Sequence, residues 1–299
     1  MASSARPPID SKIRRVSEVE QRLMAMPNSI LSDSDLANLN IHRGSGLDVD
    51  NPNAADSNSW PVFFRPLPDS EELRAAVTEV AIETDQWFLC PREDEHHMLE
   101  CALHKASWFS SFQFVVKGFK HASQPEEWVI IGHDGLLYPL PYYFGWEAFI
   151  KKHGRGPSRA EEDPYPLPEW FTKVGYWVDG KPHVGCVVGD STVRSEGEVL
   201  RSEIASAMFF IRKTMQHCKY GSRPIPVLVC SISHDTTARF TQVWYDWDQG
   251  GICFFRQSRL LDIATETWDV PDVWLLLRWM GWEGIGEISR TRGGEEEVQ

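Results

Sequence analysis

The stretch "GYWVDGKPHVGCVV", Gly175 to Val188, constrains the fold more than any other. Asp179-Gly180 sits between two β-rich flanks and supplies the positive-φ residues that a tight antiparallel hairpin requires. The pattern then continues in the same style. "LRSEIASAMFFIRKTMQHC", residues 200–218, reads as a long helix, and "IPVLVCSI", residues 225–232, as a buried strand by its continuous apolar run. "RFTQVWYDW" and "GICFFRQSRL" read as strands paired across Asp248-Gln249-Gly250-Gly251. The last helix, "VPDVWLLLRWMGW", is apolar nearly all round, which places it inside the protein.

Upstream the signals are weaker. Residues 1–58 are rich in Ser, Asn, Asp and Pro, with short amphipathic pieces such as "SEVEQRLMAM". They are expected to form a flexible, disordered arm with transient helices, because such composition buries too little apolar surface to offset ordering. Order is expected from Trp60, with a helix over 70–83 capped by Ser70. A second helix follows at "EDEHHMLECALHKASW", residues 93–108, then strands at "FQFVVKGF" and "EEWVIIGHDGLLYPLPYYF" and a short helix at "GWEAFIKKHG". Residues 155–168 form a proline-rich connector that could divide a 59–288 domain into two lobes, and 289–299 an acidic tail. The expected class is α+β, a mostly antiparallel sheet built from hairpins with packed helices.

Charge removes several functions. With 43 acidic against 30 basic side chains, the net charge of -13 repels phosphate backbones and anionic lipid surfaces. No run approaches the ~18 apolar residues of a membrane helix, and no apolar segment of a secretory leader follows the first basic residues. The six cysteines form no C-x-x-C pair, which points to a reducing compartment, cytosol or nucleus.

Four constellations carry candidate chemistry. On the 93–108 helix, His97 and Glu100 at i, i+3 and Glu100 and His104 at i, i+4 share one face and are the candidate metal ligands. That face lies opposite the apolar one and lacks the H-E-x-x-H order, so water is its expected partner. "CVVGDSTVRSEGE" resembles the nucleophile block of the GDSL-type hydrolases, which implies an ester hydrolase with Ser191 as nucleophile. The Asp-x-x-His block that such a serine needs does not follow, so a strand-ending turn capped by Asp190 or Ser191 competes with it. Ser231, His234 and Asp235 have triad chemistry but stand too close along the chain to converge.

The order of a helix bearing Glu203, a strand, a strand bearing Asp246, a further strand and "LLDI" resembles the restriction-endonuclease-like fold. That resemblance implies a carboxylate followed by a (D/E)-x-K strand that holds magnesium. Asp179-Gly180-Lys181 has the letters but stands on a turn, and no lysine follows Asp246 and Asp248 at that spacing, so a degenerate, non-catalytic scaffold is the expectation.

Thirteen tryptophans in 299 residues are many. Trp244, Trp247, Trp274, Trp279 and Trp282 gather near the C-terminus and are the candidate contact surface for a protein partner or a small apolar or aromatic ligand. Burial as core aromatics is the competing expectation. From Leu200 to Ile288 the pieces "LRSEIASA", "IPVLVCSIS", "RQSRLLDI" and "LLLRWMGWEGIG" resemble a family of uncharacterised proteins of filamentous fungi. The resemblance implies an accessory role beside a biosynthetic pathway and supplies no catalytic residues. A non-catalytic binding or accessory protein without a cofactor is therefore expected, with a metal-dependent or serine hydrolase as the alternative.

Overall fold

The computed structural model describes residues 9–52, 60–83, 128–130, 170–178, 181–217, 224–247, 251–264 and 269–285. In chain order these form α1 (Ile9–Ala25), β1 (Ile30–Leu31), α2 (Asp33–Asn38), β2 (Ile41–Arg43), β3 (Phe64–Arg65) and α3 (Glu71–Glu83). There follow β4 (Trp128–Ile130), β5 (Trp170–Val178), β6 (Val184–Asp190), β7 (Val199–Leu200) and α4 (Arg201–His217). The chain continues with β8 (Val227–Ser233), β9 (Thr237–Asp246), β10 (Ile252–Gln257), β11 (Leu261–Asp262), α5 (Pro271–Met280) and β12 (Glu283–Gly284).

The fold is α+β. One sheet runs in the order β2-β10-β9-β8-β6-β5-β4, with β11 added beside β9. The expected hairpins are present: β5 pairs antiparallel with β6, and β9 with β10. Two pairings are parallel, β6 with β8 and β10 with β2. The first follows from α4, because a helix between two strands returns the chain in the same direction.

Alternation along β9 separates two cores. Ala238, Phe240 and Trp244 belong to the layer with α5, while Val243 and Tyr245 belong to the layer with α4. The α5 layer also takes Phe63, Phe64, Leu67, Leu73 and Val77 from β3, its flanking loop and α3. Close approach on the α4 side requires Gly175 in β5, where a Cβ would stand 2.2 Å from the Phe210 ring.

Residues 9–52 differ from the arm expected there, because they are built into the fold. Val16 and Leu23 on α1 are fully buried in the α4 layer, each burial worth roughly 1.5–3 kcal/mol. Glu20 of α1 accepts both arms of Arg212 of α4, at 2.6 and 2.9 Å. Between them, Ser32 and Asp35 cap α2 reciprocally, and β1 pairs with β7. Beyond β2 the chain crosses the far layer, where Arg256 donates to the carbonyls of Ser45 and Gly46 and the Trp279 indole to that of Val49. Mean composition hides this, since one buried residue every three or four is enough to dock a helix.

The helix expected over 70–83 is α3, and Ser70 caps it by accepting from the Leu73 amide at 3.2 Å. The segments 93–108, 112–119, 145–168 and 289–299 lie outside the described residues. No helix among the described residues is long and apolar enough to cross a membrane.

Candidate functional site

The densest polar cluster among the described residues stands where β6 and β8 end and α4 begins. Glu203, in the first turn of α4, points at the sheet instead of at water. Arg239 of β9 reaches it from the same face as Val243, and donates to it through Nη2 at 3.1 and 3.0 Å and through Nε at 3.2 Å. Arg194, from the loop after β6, donates to Glu203 Oε1 at 3.0 Å. The Ser231 hydroxyl of β8 donates to the same oxygen at 2.5 Å, and Gln257 of β10 donates to Oε2 at 3.0 Å. The side chains of Arg194, Glu203 and Arg239 are all at 0% exposure.

Beside this group, Asp190 ends β6. Its Oδ1 accepts from the Thr192 amide at 2.8 Å and its Oδ2 from the Ser202 hydroxyl at 2.5 Å. Ser202 is the second residue of α4, so the carboxyl is tied to the start of the helix as well as to the turn. The turn reading of Gly189-Asp190-Ser191 is thus realised through Asp190.

Electrostatics follow from burial and partners. Burial alone raises the Glu203 carboxyl, but Arg239 and then Arg194 outweigh it and bring it below its ordinary value. Asp190, with no guanidinium in direct contact, is raised by burial, which its bonds from Ser202 and Thr192 only partly offset. Burial lowers Arg194 to about 10, against the pull of Glu203, so it stays a cation at neutral pH. Glu203 is therefore an anion spent on two cations. It has little capacity left for a metal ion and no proton to give or take near pH 7.

The sequence candidates fall as follows. Ser191 stands half-buried in the turn after β6, next to Asp190 in the chain. Ser231 is held by Glu203 and Arg194 instead of by an imidazole, and Asp235 turns back to accept from the Thr237 amide and hydroxyl. Asp246 ends β9, and Lys181 reaches toward the Gly284 carbonyl at 3.5 Å. No described strand carries a (D/E)-x-K. His97, Glu100, His104, Asp179, Gly180 and Asp248 lie outside the described residues. Among the described residues no three His, Cys, Asp or Glu side chains come together as metal ligands. Cys186, Cys230 and Cys253 are buried thiols whose pKa is pushed up by burial, which leaves them unreactive.

The tryptophan surface is corrected. Trp244, Trp274, Trp279 and Trp282 are buried, and only Trp247 is half-exposed, with the Lys12 ammonium 5.1 Å from its ring centre. The cause is α5, which lies between the sheet and the crossing N-terminal segment and so has no free apolar face. Trp282 packs edge-on to Phe64 at 4.7 Å, and Trp244 stacks on Phe254 at 5.5 Å.

Arg194 and Arg239 were not among the sequence candidates. Arg239 had a signal, a lone charge in a run whose neighbours alternate into the core. Arg194 had none, because its role depends on a loop folding inward. No family model, curated protein or solved structure matches the chain.

Proposed function

We propose that the protein acts without catalysis, as a binding or accessory protein. The observation that carries this reading is the closure of its densest polar cluster. The carboxylate at its centre, Glu203, is neutralised by two buried arginines, and among the described residues no imidazole bonds to Ser231 beside it. A catalytic constellation keeps a group in hydrogen-bond reach of substrate and with a pKa matched to its task, and Glu203, buried and held below its ordinary value, meets neither condition. The fungal resemblance over Leu200–Ile288 supports an accessory place beside a biosynthetic pathway, and the cysteine spacing supports a reducing compartment, cytosol or nucleus.

A degenerate restriction-endonuclease-like scaffold is the second reading. It is favoured by the place of Glu203 at the head of the helix that joins two parallel strands. Its function would likewise be non-catalytic.

The test has two arms. Purified protein is incubated with p-nitrophenyl acetate, bis-p-nitrophenyl phosphate and plasmid DNA, with and without magnesium, manganese or zinc. No turnover is expected. Hydrolysis abolished by Ser191→Ala, or by the paired His97→Ala and His104→Ala changes, would return the protein to the hydrolases. In the second arm, affinity capture from native cells is expected to yield one partner near one-to-one. Recovery of the bare chain alone counts against the accessory reading.

A further inference from the structure

The loop Ser191–Glu198, between β6 and β7, has half-buried ends and an exposed middle interrupted at one point. Val193 is left 57% exposed, an unusual position for a large apolar side chain, and Ser195, Glu196 and Gly197 are exposed as well. Gly197 takes φ +81°, the turn that lets the loop double back. Within this loop only Arg194 is buried. Its guanidinium enters a cage of oxygen acceptors, with Glu203 Oε1 at 3.0 Å, Ser231 Oγ at 2.5 Å, and the carbonyls of Ser231 at 3.0 Å and Thr237 at 3.5 Å.

Every wall of that cage comes from outside the loop, from α4, β8 and β9. The cage also has its own internal support. Glu203 keeps Arg239 and Gln257, and Ser231 keeps Glu203, whether or not Arg194 is in place. Other tethers lie nearer the surface. Arg43 donates to the Gly197 carbonyl at 2.8 Å and the Leu260 amide to Glu196 at 2.9 Å, both exposed and exchangeable with water, and Gln257 donates to the Glu198 carbonyl at 3.4 Å.

We propose that Arg194 is a latch, that the loop Ser191–Glu198 opens about it, and that the cage it vacates is a preformed binding site for a guanidinium group. The geometry selects a planar donor: a fork of N–H groups meets carboxylate, hydroxyl and carbonyl oxygens at once, which an ammonium does not reproduce. The site lies at the carboxyl ends of parallel strands joined by a helix, where sheets of this connection admit ligands. The net charge of -13 favours the approach of a cation. The inference concerns how this loop is held and does not rest on the non-catalytic reading.

The test uses the full chain with methylguanidinium, which has the chemistry of the lost side-chain end. Arg194→Ala is expected to melt below wild type. Its midpoint should rise with the logarithm of methylguanidinium concentration, as for a ligand that binds only the folded state. Methylammonium and sodium chloride at equal ionic strength should not raise it. Arg194→Lys is expected to melt below wild type and to gain less from methylguanidinium, because its own ammonium stays near the cage. Should Arg194→Ala not fold alone, recovery of folded protein on refolding with methylguanidinium is the same readout. Absence of any specific gain overturns the proposal. In wild type, the amides of Thr192 to Glu198 should exchange together and faster than those of β8. Exchange of the loop only in step with β8 overturns the latch.

Discussion

Glu203 at the head of α4 and Arg239 in the middle of β9 form a two-pronged ion pair, 3.0 Å at its closest oxygen and closed to water on both sides. The pair joins a helix to the strand two places from β6 in the sheet, so it fixes where α4 sits over β8. Such a pair contributes little net stability against an apolar equivalent, yet removing one member strands the other.

Glu203→Gln is therefore expected to destabilise the protein by about 3–5 kcal/mol, since two buried guanidinium groups lose their counter-charge. Urea unfolding measures it. A change below ~1 kcal/mol would mean that water reaches the cluster.

The two buried carboxyls are expected to pull stability in opposite directions with pH. Glu203 is depressed in the folded state, so its contribution is present above the unfolded carboxyl value and lost as pH falls through the folded one. Asp190 is raised, so its contribution is full below the unfolded value and lost as pH rises through the folded one. Asp190→Asn should thus remove the loss on the rising side while keeping a bond to the Thr192 amide. A midpoint-against-pH curve for the variant that matches wild type above pH ~5 counts against this assignment.

Trp279→Ala is expected to cost about 3–5 kcal/mol, because it opens a large cavity under α5 and leaves the Val49 carbonyl without its indole donor. Trp247→Ala, at a half-exposed ring, should cost far less. Equal losses for the two, measured by denaturant unfolding, would contradict the burial difference.

Deleting residues 1–26 is expected to expose the apolar α4 surface that Val16 and Leu23 cover, and to free Arg212 from Glu20. Sedimentation should show self-association and a lower melting temperature. A monomer with unchanged melting would show that α1 adds nothing to the fold.

Much of this fold is legible in the chain. The β5–β6 hairpin, the α4 helix, the buried strand β8, the β9–β10 pair and the all-round apolar α5 follow from local periodicity and turn chemistry, which act over a few residues. Tertiary structure alone decided the rest. Whether α1 docks depends on a matching stripe on α4 some two hundred positions away, and composition does not register that match. Whether a tryptophan faces a partner or a core depends on what crosses over it, and here the segment before Trp60 covers α5. The site illustrates the same limit. Glu203 reads locally as a first-turn helix carboxylate, which is ordinarily solvated. It became the centre of a buried charge cluster because Arg194 folds inward from a loop nine positions before it and Arg239 arrives from a strand 36 positions after it, and neither approach leaves a periodic pattern to read.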